Sequence, residues 1–179
     1  MLSILLALQL QAPAVTKNFL PGNTPRDTTN NYIVIHNDGA GLNAVSTRAI
    51  LRRRKLSYHY FIARNGVIYQ WKDLKHKALH AGISNWNGIN DWNTFSIGVC
   101  LQGTNFLPYT EKQYQALKLL VNYINFRYPD SKNKPILGHS DVAYPKTRKK
   151  DPGETFELWR IYNDTTDNTR GQAQTPRRT

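Results

Sequence analysis

Apolar strand-like runs alternating with a helical segment predict an α/β fold, a single domain with a central mixed β-sheet flanked by helices. Three observations carry this expectation. Apolar and β-branched runs recur at residues 32–36, 96–102 and 135–139, as buried strands do. Two further strand-like runs, residues 58–64 and 67–71, flank the pair Asn65-Gly66, which suits the positive φ angles of a tight hairpin turn. Residues 110–128 place Tyr114, Leu117, Val121 and Ile124 at helical spacing. The chain has 179 residues, 40% of them hydrophobic, with four Trp and ten Tyr. That is enough apolar surface for one packed core.

In chain order, residues 1–30 read as a lead-in. Residues 2–10 are an apolar run of signal-peptide length, and Ala12-Pro13-Ala14 supplies small residues at cleavage-site spacing. No Lys or Arg precedes the run, and it is too short to span a bilayer as a helix. Cleavage and retention both stay open, and no stable membrane insertion is expected. Residues 16–31 are rich in Thr, Asn, Pro and Asp, so they are expected to be extended and unpacked.

The strand at residues 32–36 ends in the turn chemistry of Asn37-Asp38-Gly39. Residues 45–55 suit a short helix with Val45, Ala49 and Ile50 facing inward. Residues 72–95 have little periodicity and many Gly, Asn and Trp residues, so a long surface loop is expected. Thr110 and Gln113 form a capping-box pair at the start of the next helix, and Pro129 closes it. A basic loop covers residues 140–150, and a last helix after Pro152-Gly153 is expected to bury Phe156 and Trp159. The working domain is therefore residues 31–162, followed by a polar, Thr-rich tail at residues 163–179 with the composition of a disordered segment.

Composition narrows the function. The net charge of +12 calls for an anionic partner, and nucleic acid, anionic membrane and acidic wall polymers all qualify. Its clustered part lies at residues 52–55, 146–150 and 177–178, each of which also reads as a solvated face. No DNA-reading motif is present, so nucleic acid is not expected as a partner. Cys100 is the only cysteine, which excludes an internal disulfide and a multi-cysteine zinc cluster. It lies in an apolar run, where a thiol is usually a small buried hydrophobe. The His-Glu-x-x-His helix and the Gly-x-Ser-x-Gly elbow are both absent.

Three metal-ligand residue types fall at the ends of elements: His36 after the first strand, His139 after the last, and Asp151 before Pro152. Two imidazoles and a carboxylate suit a catalytic zinc, which takes three protein ligands and keeps one position open. Each residue also has an ordinary structural reading, as a locally hydrogen-bonded strand-end histidine or a turn-forming Asp.

Six segments in order carry a resemblance. They are Ile-Val-Ile-His-Asn, Ser-Tyr-His-Tyr-Phe-Ile-Ala-Arg-Asn-Gly, Leu-His-Ala-Gly, Asn-Thr-Phe-Ser-Ile-Gly-Val-Cys-Leu-Gln-Gly, Gly-His-Ser-Asp-Val-Ala and Lys-Lys-Asp-Pro-Gly. Over about residues 31–162 the chain resembles the N-acetylmuramoyl-L-alanine amidases. That superfamily includes wall-recycling amidases, amidase-type phage lysozymes and peptidoglycan recognition proteins. The resemblance implies a fold like theirs, one zinc ion as cofactor, and hydrolysis of the amide between N-acetylmuramic acid and L-alanine.

By position, the resemblance makes His36, His139 and Asp151 the zinc ligands and Lys149 the catalytic lysine, with Lys150 its immediate neighbour. Recycling enzymes carry a glutamate where this chain has Cys100. The lysozyme and recognition branches instead use a tyrosine on the adjacent strand, and Tyr58 stands in its place. Asn37 and His80 match positions lining the substrate groove. Trp86 and Asn93 are further candidates for holding sugar or peptide, although a loop Trp serves equally to anchor the loop. His59 is expected to support the site from behind, and His76 to be an ordinary surface residue.

The implied partner is peptidoglycan or a muropeptide, met by a monomer. A phage endolysin or a bacterial wall-lytic enzyme fits a single basic domain, acting on the wall after export or after release from a host cytoplasm. The alternative is a binding module on the same fold that recognises peptidoglycan without cutting it.

Overall fold

A computed structural model of the chain describes residues 13–29 and 31–162. The apolar run at residues 2–10 and the tail at residues 163–179 lie outside the described residues. In chain order the elements are β1 (Val15–Lys17), β2 (Tyr32–Asn37), α1 (Ala44–Arg53), β3 (Tyr60–Ile62), β4 (Ile68–Gln70), β5 (Asn85–Trp86), β6 (Ile89–Asn90), α2 (Trp92–Phe95), β7 (Ser96–Leu101), α3 (Glu111–Arg127), β8 (Ile136–Gly138), α4 (His139–Val142) and α5 (Trp159–Tyr162).

Among the described residues, six strands form one sheet in the order β1-β4-β3-β7-β2-β8. The β3–β4 pair is antiparallel and the other neighbours are parallel, so the sheet is mixed as expected. One face carries Ile33, Ile35, Tyr60, Ile62, Ile97, Val99 and Leu101, packed on Leu117, Leu120, Val121 and Ile124 of α3. Burying each of those aliphatic side chains contributes roughly 1.5–3 kcal/mol. The opposite face sets Phe61 and Cys100 against Leu51 of α1, and Val34 and Leu137 against Ala81 and Trp92. With both faces covered, β2 and β7 read as continuous apolar runs rather than alternating ones.

The helix α3 follows the sequence closely. Thr110 caps it, the reciprocal bonds with Gln113 are present, and Tyr114, Leu117, Val121 and Ile124 are buried. Elsewhere the structure departs from expectation. In α1 the buried residues are Ala44, Thr47 and Leu51, while Val45 and Ala49 are exposed. The helix is turned toward Thr47, whose hydroxyl donates to the Leu42 carbonyl. At the hairpin only Gly66 takes a positive φ, of 86°. Its N–H donates to the Ala63 carbonyl, so the turn spans residues 63–66 and is wider than a two-residue loop.

The lead-in is packed rather than free. β1 adds an edge strand beside β4, Leu20 is buried, and Arg26 is buried with Nε donating to the Leu74 carbonyl. Residues 72–95 are not a surface loop, because Ala78, His80, Ala81, Ser84, Trp92 and Asn93 are all buried under the sheet. The last helix is one turn, Ile161 is its buried residue, and Trp159 stays exposed. Phe156 packs against Tyr109 and Tyr114 from the preceding loop.

Candidate active site and metal centre

Parallel pairing of β2 with β8 sets the site. Ile35 is in register with Gly138, so the next residues, His36 and His139, emerge side by side at the carboxyl ends of adjacent strands. Their ring centroids are 4.4 Å apart. In open α/β sheets this end is where ligands bind.

Asp151 arrives from the basic loop and is clamped there. The Ser140 N–H donates to the Asp151 carbonyl at 2.9 Å. The next carbonyl, of Pro152, accepts from Tyr109 Oη at 2.7 Å and Asn37 Nδ2 at 3.1 Å. Gly138 permits this approach, since a Cβ there would lie 2.8 Å from Pro152 Cδ. Asp151 Oδ2 consequently sits 3.1 Å from Nδ1 of His36 and 3.0 Å from Nδ1 of His139. One donor atom from each residue lies within 4.8 Å of the others.

The donor set suits a divalent cation. Nε2 of His139 lies 3.0 Å from the Ala81 carbonyl. A carbonyl only accepts, so Nε2 carries the proton and, in the neutral ring, Nδ1 turns a lone pair toward Asp151. Burial, and next the charge of His139, lower the pKa of His36 to about 4, leaving that imidazole neutral at pH 7. Burial pushes the Asp151 carboxyl up, but the adjacent His139 and His36 rings outweigh it and lower its pKa. The outward lone pair of His139, the neutral His36 ring and the Asp151 carboxylate thus converge, a donor set that suits a divalent ion.

A cleft of about 490 Å³ opens over these atoms, with Tyr58, His80, His139 and Asp151 in its lining. The Tyr58 ring is 5.0 Å from that of His36. Burial, and then the neighbouring Cys100, push the phenol well above its usual pKa, so it is a neutral hydrogen-bond donor. Cys100 pairs in register with His36 across β7 and β2. It is fully buried, and burial raises its thiol pKa strongly, which leaves it protonated and a poor nucleophile. Lys149 and Lys150 both line the cleft and are exposed. Lys149 thus shares the cleft wall with His139 and Asp151.

The four substrate-contact candidates separate. Asn37 and His80 line the cleft. Trp86 does not; it stands edge-on to Tyr32 and Trp92 in an aromatic cluster, the anchoring alternative. Asn93 is buried, and its Oδ1 accepts from the N–H groups of His80 and Ala81 at 2.8 Å each. Its task is to hold the Leu-His-Ala-Gly segment in place. His59 is buried behind the site, with Nδ1 accepting from Gly98 N at 3.0 Å. His76 is half-buried and bridges to Pro25. Sequence reasoning missed the Ala81 carbonyl, which orients His139 and also accepts from Arg148. A backbone group carries no residue signature that could have revealed it.

The family model for N-acetylmuramoyl-L-alanine amidase matches residues 26–154. The chain is 41% identical over 114 residues to the 1,6-anhydro-N-acetylmuramyl-L-alanine amidase AmpD of Haemophilus influenzae, an alignment covering 64% of this chain and 60% of that protein. The crystal structure of a Se-Met AmpD derivative superposes with a TM-score of 0.70 at 30% identity, covering 86% of this chain and 96% of that one. The amidase AmiD of Escherichia coli, in complex with the substrate anhydro-N-acetylmuramic acid-L-Ala-D-gamma-Glu-L-Lys, superposes at 0.65 with 29% identity, covering 85% and 59%.

Proposed function

The chain belongs to the N-acetylmuramoyl-L-alanine amidase family, and on that premise we propose that it is a zinc hydrolase cutting the amide between N-acetylmuramic acid and L-alanine. The observation that carries this reading is the convergence of His36, His139 and Asp151 donor atoms within 4.8 Å at an open cleft. These three residues would hold one zinc ion, and residues 31–162 form the catalytic unit. When bound, zinc supplies Lewis-acid chemistry, acidifying a water and polarising an amide carbonyl.

The remaining chemistry falls to side chains of the cleft. The neutral Tyr58 phenol donates a hydrogen bond toward the reacting centre, where it orients the attacking water or the amide oxygen. The Lys149 ammonium offsets negative charge as it develops on that oxygen. Groups already aimed at developing charge lower the barrier without reorganising. No carboxylate stands at position 100, so Tyr58 takes the place that a glutamate holds in other branches. Arg54, Arg148 and Lys150 add positive charge to the cleft lining and suit the carboxylates of a peptide stem. Asn37 reaches the same wall, held by Asn105 Oδ1 at 2.9 Å.

Similarity to amidases of anhydro-muramyl peptides supports a soluble muropeptide with an anhydro sugar as the substrate, in place of the endolysin role expected at first. The test is digestion of both anhydro-muropeptides and intact wall by the purified protein, with products identified by mass. Free peptide stems from the soluble substrate support the reading. Binding without release would return the non-catalytic alternative, and stems from intact wall alone would restore the lytic setting.

A further inference from the structure

We propose that His80 is a positioning residue that sets the tautomer of His36 through a hydrogen-bond chain rooted in Ser96 and Trp92. The inference rests on the reading of His36 as a zinc ligand. It goes beyond that reading by assigning a task to a histidine that otherwise only borders the cleft.

The chain can be read from its far end. The Ser96 hydroxyl bonds to the Trp92 carbonyl, which only accepts, so the Ser96 proton is committed there. Ser96 Oγ is therefore left with lone pairs toward His80 Nε2, 3.3 Å away, and this nitrogen must be the donor. In a neutral ring Nδ1 is then an acceptor. His80 Nδ1 lies 2.9 Å from His36 Nε2, so His36 carries its proton on Nε2. Its Nδ1 lone pair is left facing Asp151 and the converging donors. The opposite tautomer of His80 would force a proton onto His36 Nδ1 and close that nitrogen to a metal.

Two features independent of this chain hold His80 in place. Asn93 Oδ1 accepts from the backbone N–H groups of His80 and Ala81. Gly98 gives the ring room against β7, since a Cβ there would fall 2.5 Å from it. The ring is edge-on to His36, at 4.9 Å between centroids. The paired ligand His139 is oriented differently, by the Ala81 carbonyl. A backbone acceptor and a side-chain relay therefore set the two imidazoles to the same Nδ1-outward state.

The experiment measures zinc affinity by competition with a chelator, together with the visible spectrum of the cobalt-loaded protein. It compares the wild type, His80→Leu, His80→Asn and Ser96→Ala. Metal-free thermal melts report folding separately. An outer partner of a metal-bound histidine is typically worth about 10–100-fold in metal affinity. His80→Leu is expected to weaken zinc by that much and to shift the cobalt spectrum. His80→Asn keeps an acceptor near the Nδ1 position and should recover most of the affinity. Ser96→Ala, which leaves both histidines in place, should weaken zinc by a smaller factor. Unchanged affinity and spectrum in a folded His80→Leu, with zinc bound by the wild type, overturns the inference and leaves the metal reading intact. Equal losses in His80→Leu and His80→Asn overturn it as well, because the acceptor is then irrelevant. A wild type that binds no zinc overturns the metal reading itself, and this inference with it.

Discussion

Nδ1 of His139 and Oδ2 of Asp151 lie 3.0 Å apart, although the Ala81 carbonyl holds the histidine proton on its other nitrogen. Without an ion, one acceptor must take up a proton for the contact to be favourable. The first prediction follows from that contact. Asp151→Ala is expected to lose stoichiometric zinc and to reduce amide hydrolysis to background. Metal analysis after gel filtration, beside a product assay, checks both. A variant that keeps full zinc occupancy would remove Asp151 from the ligand set.

Tyr58→Phe keeps the ring against His36 and removes only the hydroxyl. Zinc content should be unchanged, and kcat should fall by about 10²–10³-fold, the loss typical of one donor to developing charge. KM should change little. Steady-state kinetics on a soluble muropeptide decide it, and an unaltered kcat ends the assigned role.

The two adjacent lysines give a paired test. Lys149→Ala should lower kcat by about 10²-fold at constant zinc content. Lys150→Ala should act chiefly on KM, as a charge of the cleft lining. Reversal of the two outcomes would mean that the loop presents the other ammonium to the reacting centre.

Burial, and next the charge of Arg26, lower the pKa of His59 to about 3, against its ordinary 6.5, and His36 behaves similarly at about 4. In the unfolded chain both take a proton as the pH falls through 6.5, while the folded chain resists. Their stabilising contribution is therefore present above pH 6.5 and is lost between there and about 4 to 3. The loss approaches about 1.4 kcal/mol per pH unit for each histidine. Urea midpoints of the metal-free protein at pH 7, 6 and 5 should decline accordingly. A flat profile would mean that the buried rings protonate without cost.

Asn93→Ala should act as a structural change. It strips the acceptor from two buried N–H groups, each worth about 1–3 kcal/mol when left unpaired. The expected result is a loss of at least about 2 kcal/mol in unfolding free energy. Weaker substrate binding at undiminished stability would instead return Asn93 to the substrate groove.

Elements built from local signals were legible before any coordinates. The capping box of Thr110 and Gln113 and the helical spacing from Tyr114 to Ile124 are properties of short stretches, and α3 has them. The apolar runs of β2 and β7 announced strands buried on both faces. Residues 72–95 defeated the same reasoning. They are polar yet buried, because Asn93, Ser84 and the Trp92 indole find partners within the segment itself. The face of α1 was misjudged because a helix with several small and apolar residues can bury more than one stripe. Its packing against Leu20, Phe61 and Trp71 selects the stripe that contains Leu51.

The candidate ligands were legible as residue types at the ends of elements, and the six ordered segments identified the family they belong to. Pairing β2 beside β8, and tying the Asp-Pro-Gly loop to Asn37, depended on contacts between residues more than 100 positions apart in the chain. Such contacts have no local pattern, since they form only when distant segments bury a shared surface. The same holds for the protons on His36 and His139. Residue identity supplies two nitrogens per ring, and only the neighbours that folding brings up, Ala81 for one and His80 for the other, decide which nitrogen faces the cleft.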